Sequence, residues 1–129
     1  MEKYKVLVVD DEPLIRSLLE KYFQTDPRFI VDLKEDGSFI MDSHLKEKYD
    51  LVVFDVLMPN INGIEMLQNL LLKHPEVKTL AITGMANEGL LRQITSLGCL
   101  GVLKKPIKKK EFMDAVYKAL DLTATVEPL

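Results

Sequence analysis

The sequence holds a single cysteine, Cys99, and two histidines, His44 and His74. One thiol cannot build a disulfide framework, and three such side chains are too few for a closed zinc site. A reducing cytoplasm is therefore the expected setting. Positive charge is not in surplus either, because 17 Lys and Arg face 20 Asp and Glu for a formal net charge of -3. That balance withholds the basic field needed for sequence-independent nucleic-acid binding, so none is expected from this domain. Long hydrophobic runs are missing: the apolar stretch after Met1-Glu2-Lys3-Tyr4 is broken by Asp10-Asp11-Glu12. Neither a signal peptide nor a membrane span is expected. What is present is 129 residues, 47% hydrophobic and 29% charged, enough for one domain with a core and too few for two.

Short apolar runs alternate with stretches of helical period. Val6-Leu7-Val8-Val9 ends abruptly in three acids and reads as a buried parallel strand. Leu14, Ile15, Leu18, Leu19, Tyr22 and Phe23 then share one helical face, with Pro13 suited to the first turn. Phe29 to Leu33 is a strand whose Asp32 interrupts the apolar run, which places it at a sheet edge. Ser38 to Tyr49 reads as a weak helix. Leu51-Val52-Val53-Phe54 is the most continuous strand and stops at Asp55, after which Met58-Pro59-Asn60-Ile61-Asn62-Gly63 carries dense turn chemistry. A helix with Ile64, Leu67, Leu70 and Leu71 inward stops near His74-Pro75. Leu80-Ala81-Ile82 is a fourth strand ending at Thr83-Gly84. Asn87 is placed to cap a helix running to Leu97, with Gly98 closing it, and Gly101-Val102-Leu103 leads to Lys104-Lys105-Pro106. The last helix puts Phe112, Met113, Val116, Tyr117 and Leu120 on one face. Five βα units without a repeat or internal linker predict an α/β fold, a doubly wound parallel sheet with helices on both faces.

In open α/β sheets, ligands bind beyond the carboxyl ends of the strands. Four predicted strands end in polar groups there: Asp10 and Asp11, Asp55, Thr83, and Lys104-Lys105. Three carboxylates gathered at ~5 Å repel by roughly 3 kcal/mol per pair at an effective dielectric near 20. Such a cluster calls for a cation. All-oxygen ligands without nearby cysteine or histidine suit a hard ion, and few carboxylates with room for water suit Mg²⁺. A lysine ammonium and a threonine hydroxyl on the same rim complete a set of groups able to grip phosphoryl oxygens.

This constellation resembles the response-regulator receiver family from Lys5 to about Leu120. The resemblance rests on Val8-Val9-Asp10-Asp11-Glu12-Pro13, Asp55-Val56-Leu57-Met58-Pro59 with Asn62-Gly63, Ile82-Thr83-Gly84, and Lys105-Pro106. It implies a flavodoxin-like five-stranded sheet of order 2-1-3-4-5. It implies Asp55 as phosphoacceptor, Asp10 and Asp11 as Mg²⁺ ligands with Asp55, and Leu57 as donor of a backbone carbonyl to the metal. Thr83 and Lys105 are implied as the groups that sense the phosphoryl. Lys105 is the match because the family lysine directly precedes the proline, and strand alternation points Lys104 elsewhere. The implied donor is a phosphohistidine on a histidine kinase or phosphotransfer protein. The implied output is the face of the fourth helix, fifth strand and fifth helix, offered to a downstream effector, a fused output domain, or a second copy on phosphorylation. The sequence departs from the family at Val102, where an aromatic residue is usual, so coupling through an aromatic rotamer is not available.

The same residues admit other readings. A haloacid-dehalogenase-type phosphatase also uses a strand-terminal Asp, Mg²⁺, threonine and lysine, but needs an acid two residues after the nucleophile, and Leu57 stands there. A nucleotide-binding module lacks its glycine-rich fingerprint after the first strand. Lys104, Lys105, Lys108, Lys109 and Lys110 span a strand end and a helix start and read as solvated charges. Cys99 reads as a small packed residue, and His44 and His74 as surface residues. The expected organisation is a receiver domain over 1–122 with 123–129 a tail or truncated linker, either free-standing or the first module of a longer regulator.

Overall fold

The computed structural model describes residues 2–58, 61–84 and 88–123. Chain order runs β1 (Tyr4–Val9), α1 (Pro13–Phe23), β2 (Phe29–Lys34), a 3-10 turn (Gly37–Met41), α2 (Leu45–Lys48) and β3 (Leu51–Asp55). The short strands β4 (Leu57–Met58) and β5 (Ile61–Asn62) follow, then α3 (Gly63–Lys73), β6 (Lys78–Thr83), α4 (Glu88–Ser96), β7 (Val102–Lys104) and α5 (Lys109–Ala119). Five strands form one parallel sheet in the order β2-β1-β3-β6-β7. Counted within that sheet, this is the expected 2-1-3-4-5.

The near-continuous apolar strands are what a sheet covered on both faces requires. Leu7, Val9, Val52, Phe54 and Ala81 face Met66, Leu67 and Leu70 of α3 and Ile94 of α4. Their alternates Val6, Val8, Leu51, Val53, Leu80 and Ile82 face Leu19 and Phe23 of α1 and Phe112, Met113 and Val116 of α5. Each fully buried side chain of this size contributes roughly 1.5–3 kcal/mol of transfer free energy. Register then fixes the rim. Val9 pairs with Phe54 across β1 and β3, so the next residues, Asp10 and Asp55, leave the sheet side by side.

Three expectations need correction or bounding. The helix expected from Ser38 to Tyr49 is a 3-10 turn and a four-residue α2. Asp36 accepts the Ser38 amide at 2.9 Å and Asp42 accepts the His44 amide at 2.8 Å, local bonds that compete with a continuous helix. Tyr49, freed from it, is buried and donates its hydroxyl to Asp32 at 2.6 Å, which accounts for the acid on edge strand β2. His74 is buried, not superficial; its amide donates to Leu70 and its carbonyl accepts from Val77, turning the chain tightly out of α3. Pro59, Asn60 and the cap expected at Asn87 lie outside the described residues. Gly98 has φ +104, the left-handed geometry expected where α4 closes.

Candidate functional site

Asp10, Asp55 and Thr83 are buried at the carboxyl ends of β1, β3 and β6. Lys105 follows β7, its amide donating to the Thr83 carbonyl at 2.9 Å, while the Val56 amide donates to Ile82 at 2.9 Å. These bonds hold three neighbouring strand ends level. Lys104, by contrast, is exposed, as strand alternation requires.

The Lys105 ammonium is the hub. It donates to Asp55 Oδ2 and to Glu12 Oε1, each at 2.8 Å, and lies 3.5 Å from Asp10 Oδ2. The other Asp55 oxygen accepts the Leu57 amide at 3.0 Å, so the carboxylate is held at both oxygens. Asp10 Oδ1 accepts the Glu12 amide at 2.8 Å. Its Oδ2 is buried without a hydrogen-bond donor among the described residues. The Arg16 guanidinium, on α1, donates to the Asp10 backbone carbonyl and braces that strand end.

Burial pushes the Asp10 carboxyl up to about 6; the Glu12 amide pulls the other way and the Asp55 charge adds to the rise. Burial alone would lower the Lys105 pKa, yet its hydrogen bonds to Asp55 and Glu12 and the Asp10 charge carry it above the ordinary lysine value. At neutral pH the ammonium stays charged.

The sequence placed Asp10, Asp11, Asp55, Thr83 and Lys105 on one rim, and the fold brings the acids and the lysine together. Thr83 joins them through its backbone bond to Lys105. Leu57 follows the cluster with an exposed side chain and its backbone in a short antiparallel ladder opposite Asn62. In the sequence Glu12 stands only as part of a motif, but in the fold it is a direct partner of the lysine. Its position immediately after two rim acids was the available signal. Carboxylate oxygens of Asp10, Asp11, Glu12 and Asp55 all lie within 4.8 Å of one another. With the orphaned Asp10 oxygen among them, this all-oxygen donor set fits a hard divalent cation.

The profile of the response regulator receiver domain matches residues 6–117. Sporulation initiation phosphotransferase F of Bacillus subtilis is 30% identical over 122 residues, covering 95% of this chain and 98% of that relative. Transcriptional regulatory protein DegU of Brevibacillus brevis is 28% identical over 129 residues, covering 98% of this chain but 54% of DegU. The chain thus spans about half the length of that relative. Among solved structures, the non-phosphorylated HemR receiver domain of Leptospira biflexa matches with a TM-score of 0.83 at 23% identity, covering 97% of this chain and 100% of HemR's. At that identity the likeness is one of fold.

Proposed function

This chain belongs to the response regulator receiver domain family of two-component signalling, and on that premise we propose that Asp55 is its phosphoacceptor. The observation that carries the reading is the 2.8 Å contact between Lys105 Nζ and the buried Asp55 carboxylate, beside an Asp10 oxygen with no donor among the described residues. An Asp55 oxygen attacks the phosphorus of a phosphohistidine on a kinase or phosphotransfer protein. The phosphorus–nitrogen bond breaks, its electron pair returns to the imidazole, and a mixed anhydride forms on Asp55.

Mg²⁺ is the proposed ion, with Asp10, Asp11 and Asp55 carboxylates and the Leu57 backbone carbonyl to hold it. When bound it neutralises charge on the phosphoryl oxygens. Lys105 supplies the protein's own cation: its ammonium already touches Asp55 and pairs with an oxygen of the incoming group. The Leu57 amide, donating to the other Asp55 oxygen, orients the carboxylate for attack. The Thr83 hydroxyl is the proposed sensor, and its strand end is tied to Lys105 through the backbone.

A modified Asp55 carries roughly one further negative charge, taking the figure for phosphorylated hydroxyl residues as a guide. Thr83 and the chain after it close onto that charge, and the α4, β7 and α5 face changes for a downstream effector or fused output domain. The receiver domain occupies 1–122 in this reading, and the proposed setting is cytoplasmic. Among the described residues no helix is long and apolar enough to cross a membrane.

Incubation with acetyl phosphate and Mg²⁺, followed by intact mass measurement, tests the assignment. One phosphoryl increment is expected for the wild type and none for Asp55→Asn. Equal labelling of the two proteins would overturn the acceptor.

A further inference from the structure

Four carboxylates meet one ammonium on the rim, and with the Arg16 guanidinium at the Asp10 carbonyl the cluster still carries two uncompensated negative charges at the place where an anionic donor must arrive. A divalent ion brings that balance to about zero, so the cluster itself offers a phosphoryl dianion no attraction at a distance. Around Lys105 the chain sets further cations that the cluster does not use. Lys104 precedes it on β7, and Lys108, Lys109 and Lys110 begin α5 three residues beyond; all four are exposed. Lys110 pairs with Asp114 at 2.9 Å. Lys104, Lys108 and Lys109 make no ion pair among the described residues. Lys108 and Lys109 also sit at the positive end of the α5 dipole, the less favourable end for a cation, so helix stability does not explain them.

We propose that Lys104, Lys108 and Lys109 form an electrostatic collar that steers dianionic phosphoryl donors to Asp55, raising the rate of capture without changing the transfer step. The proposal rests on Asp55 being the acceptor. Steering acts over about a Debye length, ~10 Å at 0.1 M salt, so these side chains need no contact with the reacting atoms. A single phosphoryl group suits the collar better than a nucleic-acid backbone. Asp11 and Glu12 share the rim, and Glu111 and Asp114 share α5, so a run of phosphates would meet acids on either side.

The test compares the wild type with K104Q/K108Q/K109Q, a control K21Q/K73Q/K78Q at the opposite end of the strands, and K104R/K108R/K109R. Second-order labelling rates are read by intact mass at saturating Mg²⁺, with acetyl phosphate and with the less charged donor phosphoramidate. At ~20 mM ionic strength the collar triple is expected to label about three- to tenfold more slowly with acetyl phosphate. The loss should be smaller with phosphoramidate. At ~500 mM the rates should converge to within about 1.5-fold, and the control and arginine triples should follow the wild type throughout. A deficit that persists at high salt, an equal deficit in the control, or no deficit at all would overturn the collar. So would a DNA duplex that blocks labelling of the wild type and not of the collar triple, which would assign the lysines to nucleic acid. A wild type that neither donor labels would instead overturn the reading of Asp55.

Discussion

Gly63 and Val56 approach so closely that a β-carbon on Gly63 would lie 2.4 Å from the Val56 carbonyl oxygen. The Gly63 amide donates to that same oxygen at 3.0 Å, fastening the start of α3 to the residue after Asp55. Backbone cannot yield as a flexible side chain can. Gly63→Ala is therefore expected to cost ~1–3 kcal/mol and, by moving Val56, to weaken Mg²⁺ binding as well. Thermal melts with and without Mg²⁺ check both effects. An alanine variant with wild-type melting and wild-type metal affinity would show that this contact is not tight.

Asp10 predicts an unusual pH dependence for the metal-free protein. Its folded pKa is pushed up to about 6, chiefly by burial, while in the unfolded chain it stays near 3.9. Between these values the folded state holds a proton that the unfolded state has lost, so stability falls as pH rises. Above about pH 6 the whole penalty is present. In chelator, Asp10→Asn should melt higher than wild type at pH 7.5, by on the order of 1 kcal/mol after allowance for solvent screening. The advantage should shrink toward pH 4. Mg²⁺ should reverse the order, because it stabilises the wild type by mass action and the variant binds it weakly. A variant that melts below wild type in chelator and still binds Mg²⁺ as tightly would separate Asp10 from the site.

Strand cores and rim acids were legible because both follow from local pattern. Apolar runs such as Val6 to Val9 and Leu51 to Phe54 end in charges, and a parallel sheet places all such ends on one side. Partnerships across distant segments left no comparable mark. The bond from Tyr49 to Asp32, which anchors the edge strand, joins residues whose separation has no periodic signature. Glu12 is similar: its acidity was visible, but its 2.8 Å contact with Lys105 depends on how the β7 end meets the β1 end. His74, a polar side chain beside proline, reads as surface in the sequence, whereas the tight exit from α3 leaves it buried.

Val102 tests how the site is wired to the output face. It is half-buried, paired with Ala81 across β6 and β7 and packed with Leu90 and Leu97 against the core. Val102→Ala removes two methyl groups from that contact and is expected to cost ~1 kcal/mol, visible in denaturant melts. Phosphorylation with acetyl phosphate should proceed at the wild-type rate, because Val102 packs against the hydrophobic core, whereas the acids and Lys105 gather at the strand ends. Complete loss of labelling in a folded variant would place this residue in the chemistry.

The persistence of the phosphorylated state depends on whether water reaches phosphorus in line with the departing Asp55 oxygen. Leu57 stands two residues after the acceptor and is 48% exposed; Met85, two after Thr83, lies outside the described residues. Both side chains are apolar, so neither offers a carboxylate or amide to orient an attacking water. Slow self-dephosphorylation is the expected outcome, over minutes or longer rather than seconds. Leu57→Asn keeps the backbone carbonyl proposed for the metal and adds a polar group beside the phosphoryl, and Met85→Glu adds a carboxylate. The double variant should decay faster, each tenfold gain corresponding to ~1.4 kcal/mol of barrier. Phosphoprotein lifetime, followed by intact mass after removal of the donor in excess Mg²⁺, measures this directly. Wild-type decay within seconds, or a double variant no faster than wild type, would show that access of water is set by other groups.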